Sequence, residues 1–422
     1  MKVTYFQQVP YRELPSDFED RHESVITTPY FDVTKPEKVT ADFRSALDEL
    51  MFAARLGFDG LAVTEHGQSS YDMAPNPNII EAAVAYATEV EGIDTAIYPL
   101  GRSLGKSKEP LRAAEELAMI DQMSNGRLMS GFPVGLAYDA NINNGVPPAQ
   151  TRLRFDENLE LVLKAWSEPD AFAWNGRYAQ HPAVNIWPRP VQQNPLPPVW
   201  ITGIGNPRTM QFTLDREFGF NYFGWFGLKV AGRRIFDRFW ETVEQSAKEA
   251  NPYRLGFMQT VCVAETDAKA EKLFAEHAEY FFQKGIGSIP MHRLALPGGI
   301  DIRGVEAIMR DPGDFGIYTR MKTASFADLM DAGSIVCGSP DTVAETLAAH
   351  AREYRIGNLH AMLQFGSMPH ELAKDNISLF ASEVMPRLKN VWNDEGYDHH
   401  WWPERLGGVP NPIASNTAGA LV

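Results

Sequence analysis

Eight times along the chain a short apolar run of strand character is followed by a longer run of helical character, and this alternation limits the fold more than any other feature. The first strand reads KVTYFQQV (2–9). Residues 39–57 then place Phe43, Leu47, Leu50, Met51 and Ala54 at helical spacing, and Gly57 stands where a helix end favours positive φ. The second strand follows at 58–64. Further strands are expected over 94–100, 127–132, 198–203, 220–225, 256–265 and 358–366, with helices over 78–90, 109–124, 151–166, 207–218, 229–250, 339–354 and 368–388. Strict alternation predicts a parallel sheet with crossover helices. Eight such units close into a (β/α)8 TIM barrel, here with insertions at about 10–39 and 283–334. The barrel is expected to fill 1–392, and the Gly- and Pro-containing stretch 393–422 reads as a loose tail.

The formal net charge of −15 offers no basic field to draw in nucleic acid or an anionic membrane surface. The two cysteines, Cys262 and Cys337, make no disulfide framework and have no metal-ligand spacing. No run approaches 18 apolar residues and the first residues lack a signal-peptide core, so a cytoplasmic enzyme is expected.

Barrels of this kind gather their chemistry at the carboxyl ends of the strands. The second strand runs out there on Glu65 and His66; the plain alternative is a pair that only caps a loop. In WITGIGNPRTMQF (200–212) a strand enters a glycine turn and a helix opens, with Asn206 at the N-cap and Pro207 at the first helical position. Free N–H groups at such a helix start suit phosphate. Gly203 and Gly205 allow close approach to the backbone, Thr209 adds a hydroxyl and Arg208 a charge. Arginine at 208 breaks the G-x-G-x-x-G fingerprint, and no G-K-[ST] follows. The similar turn CGSPDTVAE (337–345) carries Asp341, whose carboxylate already complements the helix dipole, so 203–209 is the better phosphate site.

In GRLMSGFPVGLAYDANINNG (126–145), Gly131, Pro133 and Gly135 would admit a flat ring at the barrel mouth. Arg152 and Arg154 open the next helix, where cations oppose the dipole and ask for an anion: a ligand, or Asp156 or Glu157 nearby. His399 and His400 are adjacent in the tail, while His350, His360 and His370 fall on a helix, a strand and a helix. Without H-E-x-x-H, no metal site is expected.

Four stretches, GFDGLAVTEHG, EPLRAAEELAMIDQMSNGRLMSGFPVG, PVWITGIGNPRT and GSPDTVAETL, taken in order, make the chain resemble the bacterial luciferase-like, flavin-dependent monooxygenases. The resemblance implies reduced FMN as cofactor, O2 and a small organic molecule as substrates, and a partner flavin reductase. It implies phosphate contacts from Gly205, Asn206 and Thr209, with Arg152 or Arg154 reaching the same group. The flavin ring would rest near Leu100, Phe132, Pro133 and Gly135. His66 takes the position of the family's acid–base histidine, and Glu65 would orient it or hold structure beneath it. Two departures stand out: Gly67 where many relatives have a second histidine, and Pro133 where the luciferase alpha chain has a reactive cysteine. The segment 283–334 lies where the family often has a lid, which would keep water from the reacting cofactor. A deazaflavin-dependent dehydrogenase on the same barrel, and a non-catalytic flavin-binding protein, are the competing readings. A homodimer or homo-oligomer is compatible with all of them.

Overall fold

The computed structural model describes residues 1–290, 293, 296 and 320–411. Its main sheet is parallel and runs through strands β1 (Lys2–Gln7), β2 (Gly60–Val63), β3 (Ala96–Pro99), β4 (Ser130–Gly131), β7 (Val199–Gly203), β8 (Gly219–Phe223), β9 (Leu255–Val263) and β11 (Asn358–Met362). The order β3-β2-β1-β11-β9-β8-β7-β4 is completed by single bridges from Ile97 to Leu128 and from Leu100 to Gly131. These bridges join the two ends into a nearly closed barrel. The eight ring strands are those expected from the alternation.

Each strand is short and almost wholly buried because helices cover it outside and the strands face one another within. The covering helices are α1 (Pro36–Arg55), α2 (Pro77–Val90), α3 (Pro110–Met123), α4 (Pro148–Ser167), α5 (Pro207–Asp215), α6 (Arg233–Gln245), α7 (Asp267–Glu279), α8 (Phe326–Ala332), α9 (Pro340–Glu353) and α10 (His370–Leu379). Along α1 the residues Ala46, Leu50, Ala53 and Ala54 are buried, and the chain leaves the helix at Gly57 with φ of 84°. Proline opens α2 to α5 and α9, where its missing N–H costs nothing. Among the described residues no helix is long and apolar enough to cross a membrane.

Three strands fall outside the expected alternation. An antiparallel hairpin, β5 (Phe172–Asn175) with β6 (Gln180–Val184), occupies a stretch that reads as irregular. Glu157 of α4 holds its tip by accepting hydrogen bonds from the backbone of Arg177, Tyr178 and Ala179. Strand β10 (Ile335–Gly338) pairs with β9 alone, over Thr260 to Val263. Strand β11 pairs with the lower part of β9 as far as Thr260. Above that point the wall between β9 and β11 parts. Asn376 of α10 fills the gap: its Nδ2 donates to the carbonyls of Val261 and Leu363, and its Oδ1 accepts from the Val263 amide. The β9–β10 pairing also sets the two cysteines opposite each other as buried free thiols, and burial pushes the Cys262 thiol well up.

The insertion at 10–39 lies across the barrel mouth. Tyr11 and Phe18 are buried, while Tyr30 and Phe31 are exposed. The Tyr280 hydroxyl ties it down by donating to the Tyr11 carbonyl and accepting from the Leu14 amide. Most of 283–334, with both of its Gly- and Pro-rich stretches, lies outside the described residues. Inside the barrel, His360 pairs with Asn221 at 2.8 Å, and Asn221 in turn with the Tyr98 hydroxyl. Burial lowers the His360 pKa to about 3, so this ring is a neutral core member.

Candidate active site

Strand β2 delivers Glu65 and His66 to the barrel mouth, and the structure separates their roles. Glu65 turns toward the loop after β3. Its Oε1 accepts from Arg102 Nη1 at 2.8 Å and lies 3.1 Å from Lys106 Nζ, while Oε2 accepts from the Ser103 amide at 2.8 Å. Three donors on one buried carboxylate make a clamp for residues 102–106.

The imidazole is oriented instead by Asp139. Its Oδ2 lies 2.8 Å from His66 Nδ1, and its Oδ1 accepts from the Gly67 amide at 3.2 Å. A carboxylate at Nδ1 fixes the proton there and leaves Nε2 as the acceptor. The Tyr138 hydroxyl lies 3.1 Å from the same Nδ1 and pairs with the Tyr71 hydroxyl. Burial, then the neighbouring Tyr71, hold the Tyr138 phenol protonated far above its usual range. Behind this group Asp72 accepts from Thr64 Oγ1 and from the amides of Val9 and Ala74. Burial raises its pKa to about 6, partly offset by the nearby His66.

The turn 203–209 forms as expected at its cap: Asn206 Oδ1 accepts from the Arg208 amide at 2.9 Å. Gly205 has φ of 97°, and a Cβ there would lie 2.6 Å from Ile235 Cγ1. Its lack of a side chain thus serves packing against α6. Thr209 is buried, and its hydroxyl accepts from Arg152 Nη1 at 2.9 Å. The two arginines of α4 part company. Arg152 lies beside the α5 start, bridges to Asp156 at 2.8 Å and covers the Phe212 ring. Arg154 leans the other way, onto Gln150 and the Tyr178 ring of the hairpin, 4.6 Å from its centroid. Exposed Arg208 joins Arg152 in the electrostatic reach of Asp156.

Leu100 is buried at the end of β3, bridged to Gly131. Pro133 and Gly135 are partly accessible along the mouth. Gly135 has φ of 108°, and a Cβ would meet Ser103 Oγ at 2.6 Å, so a side chain there is strained. Phe132 points elsewhere. Its ring lies against Trp166 of α4, centroids 6.4 Å apart, behind the wall, because neighbouring side chains on a strand alternate faces.

Whether these residues fit a flavin mononucleotide is tested by the polar atoms they leave over. Arg152 Nη2 is buried without a hydrogen-bond partner, next to the Thr209 hydroxyl and the first turn of α5. A phosphate oxygen there would satisfy it, and the small residues along 133–135 border the same mouth. The fit holds. Among the described residues no group of three or more His, Cys, Asp or Glu is set to hold a metal ion.

A family model described as luciferase-like monooxygenase matches residues 24–356. The chain belongs to this family. Among relatives of this luciferase-like chain is the oxygenase component of the flavin-dependent trigonelline monooxygenase of Acinetobacter baylyi, 30% identical over 168 residues, which are 39% of this chain and 43% of that one. Among solved structures, the oxygenating constituent of 3,6-diketocamphane monooxygenase from Pseudomonas putida, in complex with FMN, superposes with a TM-score of 0.68 at 20% identity. The match covers 92% of this chain and 98% of that one. A coenzyme F420-dependent secondary alcohol dehydrogenase superposes with a TM-score of 0.63 at 14% identity, over 92% and 98% of the two chains. These two likenesses report the shared barrel.

Asp139, Tyr138, Tyr71, Lys106 and Arg102 are site residues that the sequence reading missed. Two of them share one place in the fold. Tyr138 and Asp139 open the short π-helix Tyr138–Asn143 in the loop after β4, a feature frequent at functional sites.

Proposed function

We propose that this luciferase-like protein is a flavin-dependent monooxygenase that inserts one atom of O2 into a small organic substrate, using reduced FMN received from a partner flavin reductase. The observation that carries this reading is the His66–Asp139 pair at the barrel mouth, within a family whose relatives include a flavin-dependent oxygenase component. Bound reduced FMN would supply the oxygen chemistry, one atom going to the substrate and the other to water. Arg152 and Thr209 hold the phosphate, with the α5 start adding backbone dipole. Leu100, Pro133 and Gly135 border the ring. His66, protonated at Nδ1 by the Asp139 contact, takes up or gives back a proton at Nε2 as charge develops on the reacting oxygen. Glu65 keeps the wall at 102–106 in place, and the insertion at 10–39 excludes bulk water.

The chain also pairs with a second copy in this reading. Along α2 the residues Ile79, Ala83, Tyr86 and Val90 form an exposed stripe without a charged side chain, unusual on a surface helix, and Met119 of α3 is exposed as well.

The test is a reconstituted assay with FMN, NADH, a purified flavin reductase and a panel of organic substrates. Substrate-dependent oxygen uptake, with product mass higher by one oxygen atom, is the expected result. The second reading, a deazaflavin-dependent dehydrogenase, is favoured by the likeness to the F420-dependent structure and keeps His66 as the proton partner. Tight binding of oxidised deazaflavin, with its reduction coupled to substrate oxidation and no oxygen uptake, would select it.

A further inference from the structure

Gln8 is fully buried, and neither its amide nitrogen nor its oxygen has a hydrogen-bond partner. It follows β1 at the carboxyl end. Two residues earlier, Phe6 meets Phe223 of β8 with ring centroids 6.0 Å apart. Strands β1 and β8 are not neighbours in the ring, so this contact crosses the barrel interior. Gln8 continues the same row one level nearer the mouth. Phe223 stacks on Trp225 at 5.2 Å, and Trp225 meets Phe281 edge-on at 5.6 Å. The Trp225 indole N–H is buried and also has no acceptor. Phe223 alone in β8 stays partly accessible, although every other residue of that strand is buried.

A buried polar group without a partner destabilises the fold, so a folded protein keeps such groups where something else completes them. The side chain of glutamine shows a donor and an acceptor side by side, which matches an amide or lactam edge. An indole N–H matches a carbonyl oxygen. The rings around them suit a flat apolar body, and both polar groups are uncharged.

We propose that Gln8 and Trp225, lined by Phe6, Phe223 and Phe281, form the substrate subsite, and that the substrate is a flat, uncharged molecule with an amide- or lactam-type edge. The proposal deepens the monooxygenase reading and rests on it for the word substrate. The flavin has an imide edge of the same chemistry, so the experiment separates the two sources.

Calorimetric titrations compare quinolin-2-one, naphthalene and 2-naphthoate as probes of one shape, with reduced FMN titrated anaerobically in parallel. Wild-type protein is expected to bind quinolin-2-one at least about tenfold more tightly than either other probe. Gln8→Met is expected to remove most of that preference, leaving naphthalene and FMN affinities within about twofold. Trp225→Phe, which keeps the ring and removes the N–H, should weaken quinolin-2-one several-fold. Unchanged naphthalene binding shows that each variant still folds. Equal binding of naphthalene and quinolin-2-one, a preference for the anion, or an unaltered preference in Gln8→Met overturns the proposal. Equal loss of FMN and quinolin-2-one in Gln8→Met also overturns it, because the amide then serves the flavin edge. Failure of the wild type to bind FMN, with the lactam preference intact, supports the subsite and removes the monooxygenase reading instead.

Discussion

His66 owes its orientation to a residue 73 positions away. Replacing Asp139 by Asn keeps the shape but offers an amide N–H to Nδ1, which favours the opposite tautomer. We expect Asp139→Asn to lower kcat by about a hundredfold to ten-thousandfold with FMN affinity unchanged. A kcat within tenfold of wild type would remove Asp139 from the proton path. At the other end of the site, Thr209→Ala and Arg152→Met should each weaken FMN about tenfold while leaving riboflavin unaffected, since riboflavin lacks the phosphate. Titration by flavin fluorescence checks this, and equal weakening of both ligands would detach the pair from the phosphate. The sequence made the place of His66 after β2 and the Asn206 cap legible, because each depends on local chain order. Asp139 and the divergence of Arg152 from Arg154 were not legible. Both depend on which way a side chain leaves a helix and on what stands opposite, and the spacing of residues along one strand or helix does not encode that.

At the scale of elements, the parted wall between β9 and β11 has a single polar filler. Asn376 satisfies three backbone groups of two strands, all buried. Asn376→Leu keeps the branched outline and orphans those three groups, so a loss on the order of 3 kcal/mol is expected in urea unfolding. A loss below 1 kcal/mol would mean that the strands re-pair without it. The ring strands were readable because each is a compact apolar run ahead of a capped helix. Strand β10 has the same character, IVCG before Ser339, but it falls between the long insertion, which ends at 334, and the helix from 339, and so belongs to neither expected element. The hairpin at 172–184 was hidden by its burial pattern, which is mixed and partly exposed. It draws its order from Glu157 on another element.

For the molecule as a whole, the exposed stripe on α2 predicts association. A chain of net charge −15 repels its copy, and a face free of charge is where two copies meet at least cost. Tyr86→Glu together with Val90→Glu should convert a dimer to a monomer in light scattering after size-exclusion chromatography, with the melting curve of the barrel otherwise kept. A wild type that runs as a monomer at micromolar concentration would refute the pairing. The closed architecture was the most legible property of all, because eight strand–helix units have one well-known way of closing.

The split above Thr260 has a bearing on how such an enzyme acquires new substrates. In a fully laddered cylinder the diameter is set by strand number and stagger, and no single replacement alters it. Here the last turn of the rim is unzipped on one side while the hoop below stays intact, and one amide spans the notch. Reshaping the rim at position 376 therefore removes backbone partners on both sides of the notch, so a lineage of such proteins that widens its aperture there must regain stability in the hoop below.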